Sequence, residues 1–311
     1  MPSLPRILFL GTPEFAVPSL EIILAEGYPV AAVVTAPDKP SGRGLQLNSS
    51  AVKRFALAHG LKILQPEKLK NEEFLNEVKS LAPDLGVVVA FRKMPEALWA
   101  LPRLGTFNLH ASLLPDYRGA APINRAIMNG ETETGLTTFF LSQEIDTGKI
   151  ILQQKMQIGE NESAGELHDR MKTAGAQLVA LTMKKIFSGD FQLKDQPRHG
   201  ELKPAPKIFS SDCKIDFSQS ATRIHHLIRG LSPYPAAFMM LKDKQLKIFR
   251  ARPVHQIHSQ QAGSVSTDGK TFFRLACADG WIDVFELQLE GKKKMNTEEF
   301  LRGFRPDSFS S

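Results

Sequence analysis

The chain has 311 residues, 42% of them apolar and 23% charged, enough to bury a core that offsets its conformational entropy, with two domains as the expected division at this length. Its two cysteines, Cys213 and Cys277, stand alone, which argues against a disulfide framework or a zinc cage, and no apolar run approaches membrane-spanning length. The net charge of +6 is uneven: residues 1–189 carry 20 Lys/Arg against 19 Asp/Glu and residues 190–311 carry 19 against 14, an excess that fits a polyanionic partner and equally an ordinary solvated surface.

The first six residues run straight into an apolar stretch too short for a signal segment, so a reducing cytosol is expected. From there to Ala90, short aliphatic runs predict strands at 7–10, 30–35, 62–64 and 85–90. Helices are predicted over 15–26, over 51–59 ending at Gly60, and over 72–80 with Asn71 as N-cap. Repeated strand, helix, strand order at this spacing implies a mostly parallel sheet with helices on its faces, a Rossmann-like α/β domain.

A fifth strand at 106–110 leads into an irregular stretch to Pro122, a short helix over 123–129, and strands at 136–140 and 149–156 separated by the polar turn that holds Asp146. A long helix then starts at Ser163-Ala164-Gly165-Glu166, whose Ser and Glu have capping-box spacing. Leu167, Met171, Ala174, Leu178 and Leu181 form the stripe expected to pack on the sheet.

Residues 190–207 are polar, carry Pro197, Pro204 and Pro206, and read as a semi-extended linker. After a helix over 221–229, short alternating runs at 237–241, 245–251, 271–277 and 281–288 imply a small OB-like β-barrel. The expected division is therefore 1–189, a 190–207 linker, and a C-terminal domain over 208–311.

The densest chemical signal is Asn108-Leu109-His110-Ala111-Ser112-Leu113-Leu114-Pro115-Asp116-Tyr117-Arg118-Gly119. On a strand, Asn108 and His110 share one face, and they fall at its carboxyl end, where open parallel sheets place ligands. A carboxamide and an imidazole side by side can hydrogen-bond the oxygen of an attacked carbonyl. Asp146, in Ile145-Asp146-Thr147-Gly148, follows a β run and could orient that imidazole from a neighbouring strand end. Taken singly, Asn-x-His is commonest as a strand-end hydrogen bonder and Asp-Thr-Gly as a turn; the combination carries the signal. Gly11-Thr12-Pro13-Glu14-Phe15-Ala16 lacks the glycine spacing of a dinucleotide fold, and Lys292-Lys293-Lys294 reads as a solvated hairpin turn.

With these motifs the chain resembles the folate-dependent formyltransferases over essentially its whole length, from Gly11–Ala16 through the Asn108–Pro115 run to Gly230-Leu231-Ser232-Pro233-Tyr234-Pro235-Ala236. The resemblance implies 10-formyltetrahydrofolate as donor, no metal, Asn108, His110 and Asp146 as catalytic trio, and Ser112, Leu113, Leu114 and Pro115 lining the folate site. Phe91-Arg92-Lys93-Met94-Pro95 departs from the Tyr-Gly pair that many relatives carry before Leu-Pro, so the resemblance does not carry over to the details of the pterin pocket there.

The loop Pro37-Asp38-Lys39-Pro40-Ser41-Gly42-Arg43-Gly44 exceeds the usual connection of about 2–6 residues. By itself it reads as a mobile surface loop. Through the resemblance it reaches the acceptor stem of an initiator methionyl-tRNA, with Arg43 and Lys39 as the contacting cations. A monomer without membrane association, formylating methionyl-initiator tRNA, is the resulting expectation. Two rivals remain: a formyltransferase for a small amine such as an amino-sugar nucleotide or ribotide, which needs neither the loop nor the basic barrel, and an inactive RNA-binding relative, which has no need of the trio.

Overall fold

The computed structural model describes residues 4–41, 46–197 and 202–303. The first part of the chain carries strands β1 (Ile7–Gly11), β2 (Val30–Val34), β3 (Lys39–Ser41), β4 (Gln46–Asn48), β5 (Ile63–Leu64), β6 (Leu85–Val89), β7 (Thr106–His110), β8 (Arg118–Gly119), β9 (Glu133–Phe140) and β10 (Ile150–Gln157). Its helices are α1 (Val17–Ala25), α2 (Ala51–Ala58), α3 (Glu72–Ser80), α4 (Glu96–Trp99), α5 (Pro122–Met128) and α6 (Ala164–Ser188). Then come β11 (Pro204–Ala205), α7 (Ala221–Leu231), β12 (Ala237–Leu241), β13 (Lys244–Val254), β14 (Val265–Thr267), β15 (Phe273–Cys277), β16 (Gly280–Leu289), β17 (Met295–Asn296) and α8 (Thr297–Gly303).

The chain divides into two compact units. One comprises Met1–Gly119, Gly135–Met156 and His168–Lys203; the other comprises Ala120–Thr134, Gln157–Leu167 and Pro204–Ser311.

In the first unit seven strands form one sheet in the order β10-β9-β7-β6-β1-β2-β5. The pairs from β5 to β7 are parallel, and β9 returns antiparallel to β7. The whole of β1 and β6 is buried, which is why both read as unbroken apolar runs rather than alternating ones. Leu8, Leu10, Val34 and Val88 pack with Phe74 and Val78 of α3 on one face. The other face lies against α6: a Cβ on Gly175 would come within 2.7 Å of Leu109 Cδ2, and the Thr138 and Thr182 hydroxyls are 2.9 Å apart.

Local signals set the helix starts. Ser50 and Asn71 accept from the backbone N–H three residues on, and Ser163 exchanges hydrogen bonds with Glu166 as a capping box. Leu181 departs from the stripe expected on α6 and is exposed. A seven-residue step drifts by about 20° on a straight helix, and the buried line runs through Leu167, Met171, Gly175, Leu178 and Thr182 instead.

The 37–44 loop is likewise more regular than its composition suggests, since β3 and β4 pair antiparallel from Lys39–Asn48 to Ser41–Gln46. Lys39 is described through its backbone, and Arg43 lies outside the described residues.

The second unit is built on an antiparallel sheet in the order β12-β13-β16-β15-β14, with β17 added on β16. This is the barrel-like sheet that the short alternating runs imply. Its inward side chains, among them Leu246, Ile248, Leu275, Ile282 and Leu287, form one core with Ile224 and Ile228 of α7 and Phe300 of α8. Helix α5 joins the same unit: Asn124 Nδ2 donates to the Gly230 carbonyl at 2.7 Å, and a Cβ on Gly230 would meet Met128 Cγ at 2.6 Å. Among the described residues no helix is long and apolar enough to cross a membrane.

Candidate active site

Strand β7 ends on Asn108, Leu109 and His110. Leu109 turns toward α6, so alternation sends Asn108 and His110 to the opposite face, beside Phe139 and Thr137 of β9, with which they are in register. His110 is buried and meets the Phe139 ring edge-on, with centroids 6.5 Å apart. The half-buried Asn108 carboxamide has no hydrogen-bond partner among the described residues, which leaves its donors available.

Both nitrogens of His110 have a neighbour. Nε2 lies 2.8 Å from the carbonyl oxygen of Tyr117. A carbonyl can only accept, so Nε2 is the protonated nitrogen of that pair. Nδ1 faces Asp146 Oδ2 at 3.9 Å, an ion-pair separation but too long for a hydrogen bond. The imidazole is therefore oriented first by a backbone carbonyl and only second by the carboxylate expected to hold it.

The segment after β7 is fixed by a dense set of bonds. Ser112, fully buried, donates to the Asp116 carbonyl at 2.6 Å. Thr137 Oγ1 donates to Ser112 O at 2.7 Å and accepts from Leu114 N–H and Gln153 Nε2, each at 3.1 Å. Gln153 also reaches the Leu114 carbonyl at 2.9 Å. Tyr117, with φ of +60°, donates its N–H to Lys203 O at 2.5 Å. Of the four residues assigned to the folate site, Ser112 and Leu114 are buried in this scaffold while Leu113 and Pro115 are half-buried. The Ser112 hydroxyl is already engaged, so a ligand there would meet the backbone and the two half-buried side chains.

Asp146 sits in the left-handed region, with φ of +56°. Its Oδ2 accepts from the Gly119 N–H at 3.0 Å, and its main-chain oxygen accepts from Gln196 Nε2 at 2.9 Å. Gln196 also donates to Gly148 O at 2.8 Å and accepts from Arg118 Nε and Nη2 at 3.1 and 2.6 Å. Within the stretch read as a linker, Lys194 pairs with Ile150 at the start of β10 through two backbone bonds, which brings Gln196 to this position. Sequence reasoning assigns no role to Tyr117, Arg118, Thr137, Gln153 or Gln196. Their types are ordinary, and only Tyr117 and Arg118 carry a positional signal, in lying within the Asn108–Gly119 run.

A cleft of about 550 Å³ opens beside the residues that follow β6. Lys70, Arg92, Lys93, Met94, Trp99 and Gln143 contribute to its lining, with Glu96 as its one carboxylate. The Arg92 guanidinium is held by the carbonyls of Pro66 and Glu67. The cleft could receive a partly apolar anion; the trio itself does not line it. Among the described residues no group of three or more His, Cys, Asp or Glu is placed to hold a metal ion.

Comparison with known proteins gives the family of the chain. Residues 5–183 match the model of the formyl transferase family, and residues 207–305 match that of its C-terminal domain. A methionyl-tRNA formyltransferase of Bacteroides fragilis is 50% identical over 309 residues, covering 96% of this chain and 95% of its own. One from Flavobacterium johnsoniae is 50% identical over 302 residues, with 96% of each chain covered. Among solved structures, an N-formyltransferase from Helicobacter canadensis in complex with folinic acid and dTDP-3-aminofucose superposes with a TM-score of 0.68 at 20% identity, covering 94% of this chain and all of that one. HypX from Aquifex aeolicus in complex with tetrahydrofolic acid gives 0.65 at 17% identity, covering 96% of this chain and 47% of that one. These two structures share the fold.

Proposed function

The chain belongs to the formyl transferase family, and on that premise we propose that it transfers the formyl group of 10-formyltetrahydrofolate to the α-amino group of methionyl-initiator tRNA, as a metal-independent monomer in the cytosol. The observation that carries this reading is the convergence of Asn108, His110 and Asp146 at the carboxyl end of β7, in a chain about 50% identical to methionyl-tRNA formyltransferases.

The chemistry follows from the site. The amine, as free base, attacks the formyl carbon, and negative charge develops on the formyl oxygen. Asn108 supplies an amide donor to that oxygen. With Nε2 tied to Tyr117, His110 offers Nδ1, and in its protonated form that N–H is the second donor. Asp146, beside the same nitrogen, balances the ring's charge and helps relay the amine proton to N10 of the folate, which leaves with the electrons of its bond to the formyl carbon as the carbonyl re-forms, giving tetrahydrofolate and the formylated amine. Such preorganised donors act where charge forms and need no reorganisation during the reaction.

The cleft beside Arg92 and Lys93 is the candidate entry for the folate, since its cations suit carboxylates and Trp99 and Met94 suit an aromatic body. Lys39 and Arg43 remain the proposed contacts to the tRNA acceptor stem, and the basic excess of residues 190–311 supports positioning of a polyanion.

Incubating the protein with 10-formyltetrahydrofolate and charged initiator tRNA should yield N-formylmethionine. Formylation of an amino-sugar nucleotide in its place would shift the reading to the small-amine rival, and no product from any acceptor would favour the inactive one.

A further inference from the structure

We propose that Gln196 is a positioning residue for this transfer, acting through Asp146 and His110. The inference rests on the function proposed above and adds to it a residue far from the trio in sequence.

Residues 192–195 and Pro197 are all exposed, whereas Gln196 is only 7% exposed. Its carboxamide makes four hydrogen bonds: two N–H donations, to Asp146 O at 2.9 Å and Gly148 O at 2.8 Å, and two acceptances, from Arg118 Nε at 3.1 Å and Nη2 at 2.6 Å. That number is what a glutamine side chain can carry. A reversed amide would set its oxygen against two carbonyls and its NH2 against a guanidinium, so these partners admit one orientation.

Two stretches are thereby tied to a single group. One holds Asp146 in its left-handed conformation; the other, residues 117–119, supplies the carbonyl on His110 Nε2 and the N–H on Asp146 Oδ2. Gln196 thus sets the separation between Nδ1 and the carboxylate without touching either. Were Gln196 serving the fold alone, its replacement would lower stability and leave the folded enzyme's turnover intact.

The test is Gln196→Met, which keeps the length and removes all four bonds. Misplacement of a catalytic group on the ångström scale costs about 10²-fold in rate, and that loss is expected in kcat, with KM for folate and tRNA held within about twofold. In an Asp146→Ala background the same change should add little, because contacts acting through one group are not additive. The ring nitrogens of His110 and the Gly119 amide should shift in NMR spectra of Gln196→Met, a readout that requires no turnover. Arg118→Met, which leaves both carbonyl contacts in place, should lower kcat by a smaller factor and serves if Gln196→Met does not fold.

Parent-like kcat in either folded variant, an equal loss with and without Asp146, or unmoved His110 and Gly119 signals would overturn the proposal. A parent protein without formylation activity overturns the assigned function instead, and the NMR comparison still decides the role of Gln196.

Discussion

His110 Nε2 stands 2.8 Å from the main-chain oxygen of Tyr117, and this contact leaves Nδ1 as the nitrogen that faces Asp146. Asn108→Ala and His110→Ala should each lower kcat by roughly 10²–10³, the usual cost of losing one preorganised oxyanion donor. Single-turnover formylation at saturating folate and tRNA measures it; a near-parent rate in either variant removes that residue from the mechanism.

Asp146→Asn separates charge from placement. The amide oxygen can still accept the Gly119 N–H, so the fold should hold, while the counter-charge beside His110 is lost. A drop in kcat of about 10²-fold with an unchanged thermal midpoint is expected, and parent-like turnover would show that the carboxylate acts only as a turn former.

Gly148 has no room for a side chain, since a Cβ there would lie 1.6 Å from the Phe140 carbonyl oxygen. Gly148→Ala must displace the backbone two residues from Asp146. Overpacking of this kind typically costs about 1–3 kcal/mol, so chemical denaturation should report that loss together with reduced formylation. An active variant of parent stability would contradict the packing described.

Acid should weaken the second unit through His225. Its burial, reinforced by the nearby Arg229 and His226 charges, holds its pKa down at about 4 against an ordinary 6.5. Below pH 6.5 the unfolded chain takes up a proton that the folded one refuses until about pH 4, so stability is complete above that window and falls as pH drops through it. At about 1.4 kcal/mol for each tenfold in proton affinity, the loss is roughly 3 kcal/mol. Denaturation curves of His225→Gln should show a shallower fall between those limits; an identical fall assigns the acid sensitivity elsewhere.

Polyanion binding is tested by salt. If phosphate contacts position the tRNA, its KM should rise steeply between about 50 and 200 mM salt while that for the folate stays nearly level. A flat response for the tRNA would remove electrostatic positioning from the account. Arg43→Ala should narrow the discrimination between initiator and elongator methionyl-tRNA, and an unchanged ratio in competition assays would clear Arg43.

Much of this molecule was legible from residue order because its signals are local. Thr106–His110 forms the strand expected of it, the Asn71 and Ser163 caps open their helices, and alternation alone set Asn108 and His110 on one face. The partners of His110 and Asp146 were not legible for the same reason. A carbonyl such as that of Tyr117 belongs to any residue type, and Gln196 lies in a polar stretch without periodicity, fifty positions from Asp146. The β3–β4 ladder was hidden similarly: its Gly, Pro and Ser content marks a turn but gives no alternation to count.

Helix α5 belongs to the second unit although its residues fall between strands of the first. A protease cut or a designed split near 190–207 would therefore not release a self-sufficient C-terminal piece. The 204–311 fragment would leave bare the side of α7 where Asn124 and Met128 rest, and complementation by the severed remainder, rather than independent refolding, is the behaviour such halves should display.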